Sequence, residues 1–181
     1  MQYQRLDSET TDFVFEETDL DEIIRTSVRK YARQFIAKKI SLSYEPVETT
    51  VITDKKWLSF VIEQVISNAV KYTKTGGIKI YLEDGDGTMS VPVQKASHRK
   101  EDDGENSGMK SVRLVIEDTG IGIRAEDLPR ICEMGYTGCN GHEGQHSSGI
   151  GLYLCSRILK KLGHTFSITS KEGVGTVVKI G

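Results

Sequence analysis

Three glycine pairs and one asparagine-bearing segment carry the residue types with which a protein can hold a ligand. The first pair follows the apolar run Val112–Ile116 and comprises Gly120 and Gly122, two and four residues after Asp118. The carboxylate can accept a hydrogen bond from a ligand amine. The glycines let a ligand approach the backbone where a Cβ would block it. Taken alone, the pattern is also typical of an ordinary exit from a strand into a loop.

The second glycine pair precedes a segment of helical periodicity, for which we predict a helix from Ser148 to a C-cap at Gly163. Gly149 and Gly151 lie at its start, where unpaired N–H groups and the positive end of the helix dipole favour a phosphate. No Gly-Lys-Ser/Thr follows the pair and no βαβ unit surrounds it, which excludes a P-loop and a Rossmann turn. The alternative is a serine-capped helix whose glycines serve packing.

The asparagine lies in a second predicted helix, which we expect to start at Asp54 and to run to about residue 72 or 73. Gln64 and Asn68 are four residues apart, and Asn68 and Lys71 are three apart, so that they share one side of the helix. An amide oxygen can ligate Mg²⁺, and a lysine one turn further on can contact phosphate. The alternative is a satisfied core asparagine beside a solvated lysine.

These motifs require a framework of alternating helices and strands. The expected order is α, β, α, β, long loop, β, glycine-rich lid, α, β, β, which predicts an α+β, two-layer sandwich. We expect a mixed, mostly antiparallel sheet with about three helices on one face. The predicted elements are a short edge strand near 12–17, a helix capped at Thr18 or Asp19, strands at 39–44 and near 51–52, the helix from Asp54, strands at 78–82 and 112–117, a short helix at 127–133, the helix from Ser148, and strands at 165–170 and 175–180.

The composition is that of one globular domain. The chain has 181 residues, of which 37% are hydrophobic and 28% are charged, and its net charge of -2 argues against a nucleic-acid partner. No run approaches the ~20 apolar residues of a membrane span. The three cysteines are an odd count that fits reduced thiols in the cytosol. Residues 84–110 are too polar to pack, so we expect an exposed hairpin insertion there.

The order of the motifs resembles that of the GHKL ATP-binding family and, within it, the catalytic domain of sensor histidine kinases. SNAVKYT at 67–73 looks like the N box of this family, while EDTGIGI at 117–123 and SSGIGLYL at 147–154 look like its glycine boxes. GVGT at 173–176, which alone also suits a hairpin turn, resembles the final box. The lid segment at 128–138, with its Gly-Tyr-Thr-Gly, is similar to that of kinases paired with antimicrobial-peptide-responsive transporters.

The resemblance implies Mg-ATP as the ligand and a Bergerat-type fold. Asp118 would accept the adenine amino group, with Thr176 supporting the pocket and Tyr72 lying along the adenine or ribose. Gly120 and Gly122 would give room for the base. Asn68 would ligate the Mg²⁺ that bridges the phosphates, and Lys71 would contact phosphate. The segment expected to present N–H groups to the phosphates comprises Ser148, Gly149, Ile150, Gly151 and Leu152.

The chain departs from the family pattern at two places. The first amide of the N box is usually asparagine, whereas here it is Gln64 with Glu63 beside it, and one of these two positions is expected to assist the reacting groups. The usual Phe-Glu-Lys of the lid is replaced by Cys132-Glu133-Met134. The lid therefore lacks its usual aromatic and basic residues, and His142 is a candidate replacement for the base.

The resemblance also implies a domain arrangement and partners. Residues 13–181 would form the catalytic domain, with an ATP lid at 124–148, and residues 1–12 would be a remnant of the preceding segment. The phosphoacceptor histidine of the family lies on a helical dimerisation hairpin, a context that fits none of the four histidines, His98, His142, His146 and His164. We therefore expect phosphoryl transfer to a separate hairpin and then to a response regulator. The implied parent lies in the cell membrane, with this domain in the cytoplasm.

Three alternatives stay open. The first is a zinc site at Cys132, Cys139, His142 and His146, whose spacing suits metal ligands. The second is a degenerate module of the same fold that binds a nucleotide or a partner without kinase activity. The third is another GHKL branch, the ATPases that activate water with a glutamate four residues before the asparagine. That position is Gln64 here, which disfavours hydrolysis.

Overall fold

The computed structural model of this protein describes residues 13–47, 49–84, 112–138 and 148–181. In chain order they form β1 (Glu16–Asp19), α1 (Leu20–Lys38), β2 (Ser41–Tyr44), β3 (Thr50–Thr53), α2 (Lys55–Tyr72), β4 (Gly77–Asp84), β5 (Val112–Asp118), α3 (Gly151–Leu162), β6 (Phe166–Lys171) and β7 (Gly175–Ile180). The described part thus has three helices that pack with one five-stranded sheet into a common core. This confirms the predicted α+β, two-layer class.

Two aspartates begin the first two helices, as predicted. The Asp19 carboxylate accepts hydrogen bonds from the backbone N–H groups of Asp21 (2.8 Å) and Glu22 (3.2 Å). The Asp54 carboxylate accepts one from the N–H of Trp57 at 3.0 Å. Each cap satisfies donors that the first helical turn leaves without partners. The stripe that α2 buries against the sheet and the other helices comprises Leu58, Val61, Ile62, Val65, Ile66, Ala69 and Val70.

The five-stranded sheet has the order β2-β4-β5-β7-β6. Strand β2 runs parallel to β4, and the other neighbouring pairs are antiparallel, which includes the predicted pairing of β4 with β5. Ile80, Ile116 and Val178 lie side by side on three adjacent strands and are buried beneath the helices. The same register sets Asp118 opposite Thr176 at the end of β5. The sheet therefore brings together two residues that are far apart in the sequence.

Two predicted helical segments differ in the structure. Residues 127–133 form consecutive turns rather than a helix, since the N–H groups of Arg130 and Glu133 donate to carbonyls only three residues earlier, at 2.9 and 2.8 Å. Helix α3 begins at Gly151 rather than at Ser148, because Gly149 has φ +65°, outside the right-handed helical region. Its C-cap is Gly163, as predicted.

The first strand also lies elsewhere than predicted. It spans Glu16–Asp19, further along the chain than the predicted 12–17, and pairs antiparallel with β3 in a separate two-stranded sheet. The predicted hairpin insertion falls outside the described residues, apart from Asp84 at the end of β4. In the ranges that the structure describes, no helix combines the length and the apolarity needed to cross a membrane.

Candidate functional site

A cavity of about 320 Å³ lies between helix α2, the loop after β5, the described part of residues 124–138 and the start of α3. Most of the sequence-predicted site residues line it, although they come from four separate stretches of the chain. Glu63, Gly120 and Ile150 are not among the lining residues. The predicted residues that do line the cavity are Gln64, Asn68, Lys71, Tyr72, Asp118, Gly122, Ser148, Gly149, Gly151, Leu152 and Thr176.

One end of the cavity is formed by the carboxyl group of Asp118. The backbone N–H of Gly120 donates to its Oδ1 at 2.8 Å, and the N–H of Thr176 donates to the carboxylate as well. Burial raises the pKa of Asp118 to about 6, against these two hydrogen bonds, which lower it, and the nearby Glu117 raises it further. The carboxylate is thus an acceptor that titrates close to neutral pH.

Ser170 is a residue of this end that the sequence analysis missed. Its hydroxyl donates to the carbonyl of Gly175 (2.8 Å) and accepts from the N–H of Ile123 (2.9 Å). It also lies 3.0 Å from the hydroxyl of Thr176. Ser170 therefore ties the loop after β5 to the hairpin that carries Thr176. No local sequence signal marks it, because an alternating strand contains many serines and threonines.

Helix α2 contributes the amide and basic side chains of the cavity. The carbonyl of Tyr72, in the last turn of this helix, accepts a hydrogen bond from the N–H of Ile121 at 3.2 Å. The ammonium of Lys71 lies 5.1 Å from the centre of the Tyr72 ring. Asn68 lies one turn earlier on the same side and lines the cavity, as its spacing predicts.

The two candidates from the N box, Gln64 and Glu63, lie in different places. Gln64 lines the cavity, and its side chain lies so close to Gly151 that a Cβ built there would be 2.6 Å from the Gln64 Nε2. Glu63 is not part of the lining and forms an ion pair with Lys30 of α1. The structure therefore brings only Gln64 of this pair to the cavity wall.

The start of α3 contacts the described part of the predicted lid through its backbone. The N–H of Gly135 donates to the carbonyl of Gly149 at 3.1 Å. A Cβ at Gly149 would lie 2.5 Å from the Gly135 carbonyl carbon and 2.7 Å from the Tyr136 oxygen. This approach and the left-handed φ both require glycine at this position.

Two further residues of the lid segment take part in the cavity without having been singled out from the sequence. Asp127 is buried, lines the cavity and accepts a hydrogen bond from Tyr136, which also lines it. The guanidinium of Arg130 lies 4.3 Å from the centre of the Tyr136 ring. These contacts hold residues 127–136 as one folded unit above the cavity.

The zinc alternative falls mostly on residues that the structure does not describe. Cys139, His142 and His146 lie outside the described ranges, so the structure does not test the prediction that His142 replaces the basic residue of the lid. Cys132 is half-buried, and burial raises the pKa of its thiol. Among the described residues, no group of three His, Cys, Asp or Glu side chains is arranged to hold a metal ion.

His164 is the one histidine within the described ranges, and it lies away from the cavity. Its two ring nitrogens contact the hydroxyl of Thr53 (3.1 Å) and the carbonyl of Gly181 (3.2 Å). Burial lowers the pKa of this imidazole, while the hydrogen bond to Gly181 opposes that shift. Its surroundings are those of a structural histidine between β3 and the end of β7.

The sequence is similar to those of known ATPases and kinases. Residues 53–181 match the family model described as histidine kinase-, DNA gyrase B-, and HSP90-like ATPase. The sensor histidine kinase YxdK of Bacillus subtilis (strain 168) is 34% identical over 179 residues, which cover 97% of this chain and 48% of YxdK. The chain thus spans about half the length of the curated relatives it matches.

Solved structures share the fold. The nucleotide-free catalytic domain of the histidine kinase ThkA superposes with a TM-score of 0.68 at 20% identity, over 93% of this chain and 96% of that domain. Full-length ShkA, in complex with AMPPNP, has a TM-score of 0.71 at 19% identity, over 98% of this chain and 32% of ShkA. At such identities the likeness shows the fold alone.

Proposed function

Because this chain belongs to the histidine kinase-, DNA gyrase B-, and HSP90-like ATPase family, we propose that it is the ATP-binding catalytic domain of a sensor histidine kinase. The observation that carries the proposal is the convergence of Asp118, Asn68, Lys71 and the Gly149 loop on one cavity. The similarity to YxdK over nearly the whole chain supports the kinase branch rather than the other ATPases of the family.

The base and ribose of ATP would occupy the Asp118 end of the cavity. The carboxylate would accept a hydrogen bond from the adenine amino group, while Thr176 borders the base and Tyr72 lies along it. Two backbone N–H groups already hold the carboxylate in place. The acceptor is therefore oriented before the ligand arrives, which lowers the cost of binding.

The phosphates would lie between α2 and the start of α3. Lys71 supplies a positive charge, and the backbone from Ser148 to Leu152 supplies N–H groups at a helix N-terminus. The residues present also fit Mg²⁺, since Asn68 lines the cavity and its side chain carries an amide oxygen, a ligand type that this ion accepts. Bound Mg²⁺ would neutralise charge on the phosphates during transfer.

The proposed reaction moves the γ-phosphoryl group of ATP to an imidazole nitrogen of a histidine on a separate dimerisation hairpin. The bond from phosphorus to the bridging oxygen of ADP breaks, a phosphorus–nitrogen bond forms, and the imidazole gives up a proton. Catalysis by this chain is mainly positioning and charge stabilisation. Of the two N-box candidates, we assign the role of assisting the reacting groups to Gln64, which lines the cavity, since Glu63 is paired with Lys30.

The organisation of the whole protein is part of the proposal. Residues 13–181 would be the catalytic domain, and residues 124–148 would close over ATP as a lid. The phosphoryl group would pass from the histidine to an aspartate of a response regulator. The parent kinase would be anchored in the cell membrane with this domain in the cytoplasm, and it would act beside an antimicrobial-peptide-responsive transporter.

Calorimetric titration with ATP, with and without Mg²⁺, tests the binding site. We expect Mg-ATP to bind, and Asn68→Asp to lose binding by about a hundredfold, because the new carboxylate changes the charge beside the triphosphate. Ser59→Ala, on the same helix but outside the cavity lining, serves as the matched control and should bind as the wild type does. Equal affinities for Asn68→Asp and wild type would contradict the placement of the triphosphate beside Asn68.

Phosphoryl transfer in trans tests the activity. A dimerisation hairpin from a related sensor kinase is supplied with labelled ATP, and we expect acid-labile label on its histidine. The second candidate, a module that binds nucleotide without transferring phosphoryl, is favoured by the exposed Met134 where the family has a lysine. Binding of Mg-ATP without label on the hairpin would support that candidate and contradict the kinase proposal.

A further inference from the structure

Lys38, the last residue of α1, contacts the end of the helix that carries Asn68. Its ammonium donates hydrogen bonds to the carbonyl oxygens of Val70 (2.6 Å), Lys71 (3.0 Å) and Thr73 (3.3 Å). The side chain is half-buried between the two helices. One cation thus engages three of the four carbonyls from residue 70 to residue 73, at the end of α2.

The end of α2 needs such a partner. The last carbonyls of a helix have no intrahelical donor, and a left-handed residue at the C-terminus commonly supplies the missing bonds. The C-cap of α2 is instead Thr73 in an extended conformation, with φ -89° and ψ 114°. The ammonium of Lys38 takes that place, and its charge also complements the negative end of the helix dipole.

The same turn borders the cavity on its other side. The N–H of Ile121 donates to the Tyr72 carbonyl at 3.2 Å, so that four successive carbonyls receive donors from two other elements. Lys71 and Tyr72, which line the cavity, are therefore held between α1 and the loop after β5. A shift of this turn would move the ammonium of Lys71 and the ring of Tyr72 together.

We infer that Lys38 is a positioning residue for the nucleotide site: from outside the cavity, it holds the last turn of α2 so that Lys71 and Tyr72 face the ligand. The inference deepens the proposed function and rests on it. Lys38 lies outside every motif that the ATP site uses, and its effect on ATP is transmitted through backbone carbonyls rather than through contact. It is therefore distinct from a residue that touches the ligand.

A second lysine provides a matched control. The ammonium of Lys55, at the start of α2, pairs with a carboxylate oxygen of Glu22 on α1 at 2.8 Å. It thus links the same two helices at the opposite end of α2, away from the cavity. Lys38→Met and Lys55→Met remove the same charge and the same type of side chain, and they differ in whether the last turn of α2 loses its donors.

The experiment compares these variants with wild type and with Lys38→Arg. We expect Lys38→Met to weaken Mg-ATP binding in calorimetry about tenfold, as loss of charge-assisted hydrogen bonds and of ligand alignment predicts. Lys55→Met should bind as the wild type does. Lys38→Arg should recover most of the affinity, since the guanidinium also donates to several carbonyls. In hydrogen exchange, amides 71–73 should exchange faster only in Lys38→Met, while amides 61–66 keep their protection.

Three outcomes would overturn the inference. One is wild-type affinity in Lys38→Met, and another is an equal loss in Lys38→Met and Lys55→Met. The third is unchanged exchange of amides 71–73 in Lys38→Met. If Lys38→Met does not fold, Lys38→Gln, which removes the charge but keeps a neutral donor, replaces it and is compared with Lys38→Arg at smaller amplitude. If wild type itself does not bind Mg-ATP, the proposed function fails. The hydrogen-exchange measurement of amides 71–73 then still decides whether Lys38 stabilises the last turn of α2.

Discussion

The two ends of the cavity are built in different ways. The end proposed to hold the base (the base end), formed by Asp118, Ser170 and Thr176, consists of side chains that hydrogen-bond to a neighbouring strand or loop of the sheet. The end proposed to hold the phosphates (the phosphate end), formed by Gln64 and the Gly149–Leu152 segment, includes backbone at a helix start that lies against residues 135 and 136. A carboxylate is thus held by the sheet at one end, and N–H groups are presented by a loop at the other.

The two ends therefore have different parts in the proposed site: one recognises the base, and the other contacts the lid segment. The register of β5 and β7 defines the position of Asp118, so the base end rests on strand pairing. The phosphate end depends on one left-handed glycine and on one backbone hydrogen bond to the described part of the lid segment. We therefore expect changes at the base end to affect every adenine ligand, and changes at the phosphate end to affect ATP selectively.

The largest effect is expected from removing the carboxylate of the base end. Asp118→Ala should weaken both adenosine and Mg-ATP by about a hundredfold in calorimetry, because a charge-assisted hydrogen bond to the base is lost. Glu117→Ala is the matched control: it removes the neighbouring carboxylate, which does not line the cavity, and should leave both affinities within about twofold. A loss confined to ATP in Asp118→Ala would contradict the assignment of this end to the base.

A smaller effect is expected at the phosphate end. Gly149→Ala should weaken Mg-ATP about thirtyfold while changing adenosine little, since a Cβ there adds left-handed strain and collides with the Gly135 backbone. Gly151→Ala should cost less, because its Cβ meets the flexible side chain of Gln64. Gly163→Ala, with φ +79° and open space around it, controls for backbone strain remote from the cavity.

The comparison of these variants is the decisive measurement. If Gly149→Ala lowers adenosine and ATP affinity equally, the segment does not act on the phosphates. If Gly163→Ala lowers ATP affinity as much as Gly149→Ala does, the loss reflects general destabilisation of α3. Thermal unfolding of all three glycine variants separates these cases from a failure to fold.

Local chemical signals were sufficient to predict much of the fold. The aspartates at 19 and 54 begin helices and the glycine at 163 ends one, in each case by satisfying neighbouring backbone groups, so their effect can be read from adjacent residues. The predicted helix at 127–133 was wrong: the segment forms turns closed between residues three apart, and the Asp127 side chain contacts Tyr136, nine residues away. The glycine before α3 likewise adopts a backbone angle that the sequence alone does not specify.

The site shows the same division between local and distant contacts. Asn68, Lys71 and Asp118 became candidates through their spacing and their place in a helix or at a strand end, and the resemblance of the motif order to a known family implied their roles. Ser170 could not, since its partner Ile123 is 47 positions away and is reached only through the pairing of β6 with β7. Lys38 was missed for the same reason: its acceptors lie 32 to 35 positions further along the chain.

The smallest expected effect is the dependence of adenosine affinity on pH, which tests the base end separately from the phosphate end. Because the pKa of Asp118 is raised from 3.8 to about 6 by burial, its carboxyl group becomes protonated as the pH falls through 6 and then no longer offers a charged acceptor. Adenosine is the probe, since its phosphate-free structure removes the titration of ATP itself. We expect its affinity to be constant above pH 7 and about tenfold weaker at pH 5, as a single titration with that pKa requires.

Asp118→Asn provides the control, since an amide keeps an acceptor oxygen without titrating over this range. Its adenosine affinity should therefore be independent of pH between 5 and 8. Stability should change in the opposite direction: the folded pKa lies above the unfolded value, so the charged form is disfavoured in the fold, and this cost disappears as the pH falls from 6 towards 4. As the pH falls from 6 towards 4, the free energy of unfolding of wild type should therefore rise relative to that of Asp118→Asn, while its affinity for adenosine falls. General destabilisation by acid would lower both quantities and cannot produce these opposite changes.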